Sequence, residues 1–251
     1  MKSRSLRLEV IVDSADGAVA AQQGGADRVE LCDSILEGGT TPSLGMLRAT
    51  LAAIDIDVSV MIRPRAGDFL YSTLEVDAMR MDIEAARGAG AQSIVLGMLR
   101  PDGTVDESRV ADLIATARPM SVTFHRAFDM ARDPSDALEA LIRLGIDRVL
   151  TSGHAAQVSE GLPLLRSLVE RAGDRIVVMP GCGIRVDNIT QVKTQTGARE
   201  FHASAWLPQP STMIHRNERV AMGQGQRTPE YERNQTSIEK VRALAAALRG
   251  S

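Results

Sequence analysis

Titratable and nucleophilic side chains of this chain collect where short apolar runs end. The run ending Val29-Glu-Leu-Cys32 carries a carboxylate and a thiol two residues apart, then leads into Glu37-Gly-Gly-Thr-Thr-Pro-Ser43. Residues two apart on a strand share a face, so Glu30 and Cys32 look the same way. A second run, Val122-Thr-Phe-His125, is followed at once by Arg126 and Asp129. Thr123 with His125, and His202 with Ser204, share faces in the same manner. Glu30 and His125 have the side-chain types that general acid–base work needs, and Asp129 stands beside them as a third catalytic candidate.

Other residues suit ligand binding. Glu9 lies inside an otherwise apolar run, where an unpaired charge is costly, so it needs a partner. Arg63 is the expected partner, in a pair that is either structural or functional. Arg63-Pro-Arg65, followed by Gly67-Asp68, sets two guanidinium groups near one strand end. Such groups suit a carboxylate or phosphate ligand, or pair with Glu30 or Glu9. Thr151 and Ser152 end another run, and Gly181-Cys-Gly183 makes a tight turn whose backbone N–H groups could hold an anion. The candidate ligand-binding set is therefore Glu9, Arg63, Arg65, Thr151, Ser152, Gly181, Gly183, His202 and Ser204. His154 and His215 fall in loops and are expected to face solvent. For metal, the chain has no Cys-x-x-Cys and no His-Glu-x-x-His, and its 11 methionines are scattered. Cu(I) prefers soft sulfur ligands, commonly more than one. Cys32 is available, but Cys182 belongs to a distant strand.

Positioning these groups requires strands that all end on one side. Strand-like runs near 7–12, 27–32, 57–62, 93–98, 120–125, 147–151, 175–179 and 199–204 alternate with helical patterns near 15–23, 44–53, 75–88, 107–117, 134–144, 161–171, 186–195 and 236–248. Ser43 is placed to cap one helix, and Asp133 another whose first residue is Pro134, with Gly145 just past its end. Eight strands, each followed by a helix, predict an α/β fold: a single (β/α)8 TIM-type barrel occupying residues 1–251. In such a barrel every strand end listed above meets at the C-terminal face. One segment breaks the alternation. The polar, Gly-containing stretch Trp206 to Gln235, after strand eight, is expected to be a loop that partly closes over the mouth or packs on a second subunit, with disorder at Gly223-Gln-Gly225.

Composition narrows the partners. The chain has 251 residues, with 29 basic and 32 acidic side chains and only 3% aromatics. Neither nucleic acid nor an anionic membrane is an expected partner. No apolar run reaches the ~18 residues of a membrane span, and the first residues lead straight into a strand. Two cysteines make no disulfide framework. A cytoplasmic protein that takes a small molecule or a metal ion is expected.

Several separated blocks together resemble the copper homeostasis protein CutC family: Gly25-Ala-Asp-Arg-Val-Glu-Leu-Cys32, Glu37-Gly-Gly-x-Thr-Pro-Ser-Leu-Gly45, Ile62-Arg-Pro-Arg-x-Gly-Asp-Phe69, Thr123-Phe-His-Arg-Ala-Phe-Asp129, Arg148-Val-Leu-Thr-Ser-Gly153 and Arg216-Asn217. The resemblance implies a cytoplasmic barrel, a homodimer or higher homo-oligomer, and Cu(I) bound through cysteines, of which Cys32 matches. It departs at Ile11-Val12, where the family pattern has cysteines. Two functions stay open: a copper homeostasis protein binding Cu(I) through Cys32, and an isomerase, lyase or hydrolase acting on a small polar, phosphorylated or sugar-like substrate.

Overall fold

The computed structural model describes residues 5–220 and 229–250. Eight strands, β1 (Arg7–Val12), β2 (Arg28–Leu31), β3 (Asp57–Met61), β4 (Ser93–Leu96), β5 (Ser121–Phe124), β6 (Arg148–Thr151), β7 (Val177–Pro180) and β8 (Glu200–Ala203), form one parallel sheet. Its order is β7-β6-β5-β4-β3-β2-β1-β8, and β7 packs beside β8, so the sheet curls into a barrel. Between the strands run α1 (Ala15–Gln23), α2 (Leu44–Ala53), α3 (Thr73–Ala89), α4 (Glu107–Ala117), α5 (Pro134–Arg143), α6 (Leu162–Ala172) and α7 (Ile189–Thr196), and α8 (Ile238–Arg249) closes the ring. This is the expected TIM-type barrel.

Local chemistry sets the element ends. Ser43 accepts from the N–H of Met46 at the start of α2, and Asp133 accepts from the N–H groups of Ser135 and Asp136 ahead of Pro134. Each cap satisfies a donor that the first helical turn leaves orphaned. Beyond α5, Gly145 turns the chain at φ 69°, in the left-handed region that favours glycine.

The two faces of the sheet differ in chemistry. Leu8, Val10, Val12, Val29, Leu31, Val58, Val60, Ile94, Leu96, Val122, Phe124, Val149 and Phe201 belong to one continuous apolar core shared with the helices. The alternate positions face the barrel axis and are largely polar: Glu9, Arg28, Glu30, Ser59, Ser93, Thr123, Arg148, Glu200 and His202. Buried charges must be paired. Here they form a chain in which Arg148 donates to Glu200 at 2.7 Å, Arg28 donates to Glu200 at 2.8 Å, and Arg28 also donates to Glu9. Strand register makes this possible, because Glu9 on β1 stands beside Arg28 on β2. Glu9 therefore pairs with Arg28, not with the expected Arg63.

The stretch after β8 is not the loop expected. Trp206–Pro210 (β9) and Glu232–Thr236 (β10) pair antiparallel, making the base of an arm beside α1. Met213 and Ile214 beyond β9 are 60% and 101% exposed. The expected disorder at Gly223-Gln-Gly225 lies outside the described residues.

Candidate functional site

The ion-paired chain inside the barrel ends at its mouth. Register sets His202 of β8 directly beside Glu9 of β1, and His202 Nδ1 lies 2.8 Å from Glu9 Oε1. The other ring nitrogen, Nε2, is 3.8 Å from Glu30 Oε2. Glu30 also accepts a hydrogen bond from the Cys32 thiol at 3.5 Å, while its Oε1 is buried without a partner among the described residues. Glu9, Glu30 and His202 are all buried. Among the described residues they form the only cluster of three carboxylate, imidazole or thiol groups whose ligand atoms converge within 4.8 Å of one another.

These neighbours hold the three groups in different states. Burial alone would raise the Glu9 carboxyl, but Arg28 and His202 outweigh it and keep Glu9 ionised well below the usual carboxylate range. Glu30 has no arginine in contact. Burial lifts its carboxyl above the ordinary value, the charge of His202 offsets part of this, and the Glu9 carboxylate adds to the rise. Burial disfavours a charged His202, yet Glu30 and Glu9 prevail and raise its imidazole above the ordinary histidine range. The sum is instructive. Arg148 and Arg28 cancel Glu200 and Glu9, so a single proton shared by Glu30 and His202 makes the whole chain neutral.

Across the mouth stands His125, 4% exposed. Its Nδ1 accepts the N–H of Ala127 at 3.1 Å, and its ring centroid lies 5.0 Å from that of Phe69. Gly97, at the end of β4, leaves room for the ring: a Cβ there would sit 2.4 Å from two imidazole atoms. Burial, followed by the charge of Arg63, pushes the His125 pKa down to about 3. Glu30, His125 and His202 line one cavity of about 280 Å³, together with Arg63, Phe69, Met61, Arg126, Cys182, Gly183 and Ser204.

The expected site residues divide accordingly. Glu30, Arg63, His125, Gly183, His202 and Ser204 meet on the cavity wall, and Glu9 lies directly beneath it. Arg63 is largely occupied: it donates to the carbonyls of Glu37, Gly39 and Gly67 and stacks on Phe69, pinning the β2–α2 loop. Arg65 is off the wall, paired with Glu75 and Asp68 and laid over Tyr71. Asp129, Thr151 and Ser152 are also off it. Asp129 accepts from Thr151 Oγ1, from the Ser152 N–H and hydroxyl, from the His154 N–H and from Arg126. That saturated carboxylate braces the loop after β6. Gly181 backs the cavity against Leu150 and His202, where an added Cβ would meet Leu150 Cδ1 at 2.5 Å and displace that side chain. His154 does not simply face solvent: it packs edge-on against Phe128 at 5.4 Å, whereas His215 is exposed. None of residues 206–220 or 229–236 reaches the cavity wall.

Two residues at the site, Arg28 and Gly97, were given no part in the sequence reading, and a third, Arg126, was noted beside His125 without a role. Arg28 stands two positions before Glu30 on the same face, and that alternation was a usable signal. Gly97 ends an apolar run, as a glycine beside a buried ring must. Arg126, 40% exposed at its side chain, is ion-paired with Asp129 at 2.7 Å, places Nη1 3.1 Å from Cys182 Sγ and donates through Nη2 to Ser152.

The CutC family model matches residues 6–207. Curated relatives include the copper homeostasis protein cutC homologs of Homo sapiens and Mus musculus, each 50% identical over 95% of this chain and 88% of their own. The family protein CutC of Mesorhizobium japonicum is 49% identical over 96% of this chain and 93% of its own. The chain belongs to the CutC family. The crystal structure of the putative copper homeostasis protein CutC from Streptococcus agalactiae superposes with a TM-score of 0.75 at 31% identity, covering 78% of this chain and 97% of that one. N-(5'-phosphoribosyl)anthranilate isomerase from Pyrococcus furiosus, at 13% identity and a TM-score of 0.59 over 98% of this chain and all of its own, shares the barrel fold.

The family name raises the question of copper. Cu(I) prefers thiolate or thioether ligands, commonly more than one. Cys32 is fully buried, off the cavity wall, and its thiol is pushed well above its ordinary pKa by burial and by Glu30. Met61 packs against it, but Cys182 is engaged elsewhere, between Arg126 and the carbonyl of Ala156. The converging cluster holds no sulfur at all. This donor set does not fit Cu(I).

Proposed function

We propose that the barrel mouth of this CutC-family chain is an acid–base site for a small polar molecule. The protein is then an isomerase, lyase or hydrolase in class. Glu30 and His202 share the working proton, and Glu9 fixes the tautomer and tilt of His202 while staying ionised itself. Arg63 and Arg126 are the two cations on the cavity wall that an anionic substituent would meet. One observation carries the reading: a buried carboxyl with a raised pKa faces a histidine that a second, permanently ionised carboxylate orients at 2.8 Å. Such paired environments mark acid–base sites because each group's state is set by its neighbours.

The alternative, Cu(I) bound through Cys32, draws on the family name and on the Cys32–Met61 contact. Cytoplasmic location and homo-oligomeric assembly belong to this proposal too, supported by family membership. Among the described residues, no helix is long and apolar enough to cross a membrane. One comparison separates the readings. Wild type and E30Q are incubated in D2O with aldoses, ketoses and hydroxy or oxo acids, and followed by proton NMR. The enzyme reading expects conversion or C–H exchange by wild type and a loss of about 1,000-fold or more in E30Q. An inert wild type that binds Cu(I) stoichiometrically under anaerobic conditions, with binding abolished by C32S, would favour the alternative.

A further inference from the structure

The His125 ring is held in one tautomer and one orientation. Ala127 N–H donates to Nδ1, so in the neutral ring the proton sits on Nε2. That Nε2 is buried and has no partner among the described residues, although the ring lies on the cavity wall that also carries Glu30. Phe69 packs against the ring on one side and Gly97 on another. A buried donor without an acceptor is costly, so an oxygen belonging to the ligand is the natural partner. Arg63 and the apolar surroundings keep the ring uncharged across the physiological range. A group that cannot change charge is unsuited to carry a proton, but well suited to polarise an oxygen.

We infer that His125 is a neutral Nε2–H donor to a carbonyl oxygen, and that the substrates are α-hydroxy carbonyl compounds which undergo proton transfer beside that carbonyl. This inference rests on the acid–base reading of Glu30 and His202. In the step, Glu30 takes the proton from the carbon next to C=O while His202 carries the shared proton. The C–H electron pair becomes the C=C bond, and the carbonyl π pair moves onto oxygen. The resulting oxyanion is held by His125 Nε2–H. Return of the proton from Glu30 to the same carbon regenerates the starting compound, with solvent exchange at that carbon. Return to the neighbouring carbon, with the hydroxyl proton crossing to the first oxygen, isomerises the compound instead. No electrons are gained or lost overall, and no co-reactant is required.

The test uses the full-length protein carrying 15N-histidine and the small enediolate mimic glycolohydroxamate as probe. The expected result is a neutral His125 ring with its proton on Nε2 from about pH 5 to pH 8. Adding the probe is expected to move that Nε2–H resonance downfield. H125N, which lacks a donor at that position, is expected to weaken the probe about 100-fold, and H125Q, which keeps one, to recover most of the loss. A proton on Nδ1, a resonance unmoved by the probe, or equal binding by H125N and H125Q would overturn the inference. Its failure is distinct from failure of the Glu30 reading. Deuterium exchange at the carbon beside the carbonyl of hydroxyacetone, lost in E30Q, reports the base whatever His125 does. Exchange unchanged in E30Q overturns the base and leaves the donor result standing.

Discussion

Glu9 and His202 are direct register neighbours on the first and eighth strands, and the hydrogen bond between them, 2.8 Å long, spans the seam where the chain's beginning meets its end. Glu9 is also the counter-charge of Arg28, which is 2% exposed. Removing one partner of a buried pair strands the other, at a cost of roughly 3–5 kcal/mol. E9Q is therefore expected to lower the urea midpoint far more than a surface Glu-to-Gln change such as E170Q. A midpoint within a few tenths molar of wild type would contradict the pairing.

Acid stability follows from His125. Its folded pKa of about 3 lies below the ordinary 6.5, so between those values the unfolded chain binds a proton that the native chain refuses. The stability due to the neutral ring is complete above pH 6.5 and is lost as pH falls towards 3. His202 has the opposite sign: its raised pKa contributes fully below the ordinary value and fades as pH rises through the folded one. Between pH 7 and pH 4, H125Q is expected to gain about 3 kcal/mol relative to wild type, read as the pH dependence of the difference in unfolding free energy. A difference that does not change with pH would refute a neutral buried ring.

Gly97 makes a sharper steric test. A methyl group there would meet the His125 ring at 2.4 Å, and the neighbour is a packed ring, not the end of a flexible chain. G97A is expected to cost about 1–3 kcal/mol and to displace the imidazole, which its NMR signals would report. An unaltered ring environment would show that the cavity wall is looser than described.

Much of the fold was legible because strands and helices alternate in period, and because glycine and proline mark their ends. The site was legible in part. Glu30, His125 and His202 sit at strand ends, where alternation alone assigns them to the axis. The partner of Glu9 was not legible, since the choice of Arg28 over Arg63 depends on the register between β1 and β2, which side-chain pattern does not encode. Arg65 lies off the cavity wall because β3 ends at Met61 and the turn that follows carries its guanidinium to Glu75. Asp129 looked catalytic in sequence, but a short helical turn, Arg126–Met130, directs it under the loop at Ser152. The arm strand Glu232–Thr236 was hidden for a plainer reason. Its residues, Glu-Arg-Asn-Gln-Thr, have no apolar alternation to read.

The arm carries its own expectation. Met213 and Ile214 are exposed and do not line the cavity, as expected of a subunit contact more than of a lid. Light scattering is expected to show wild type as a dimer or larger, and M213S/I214S as a smaller species with catalysis at the mouth retained. A monomeric wild type, or a double variant of unchanged mass, would remove the arm from assembly.

In the proposed site, Glu30 and His202 share one proton at the end of an otherwise charge-balanced chain of buried side chains. The most direct measurement is the carboxyl 13C shift of Glu30 as a function of pH, in wild type and in H202Q. Glu30 is expected to titrate above the ordinary 4.5 in wild type. It should move higher still in H202Q, because the positive charge that favours its ionised form is gone. A Glu30 that titrates at or below 4.5, or that ignores the loss of His202, would contradict the account.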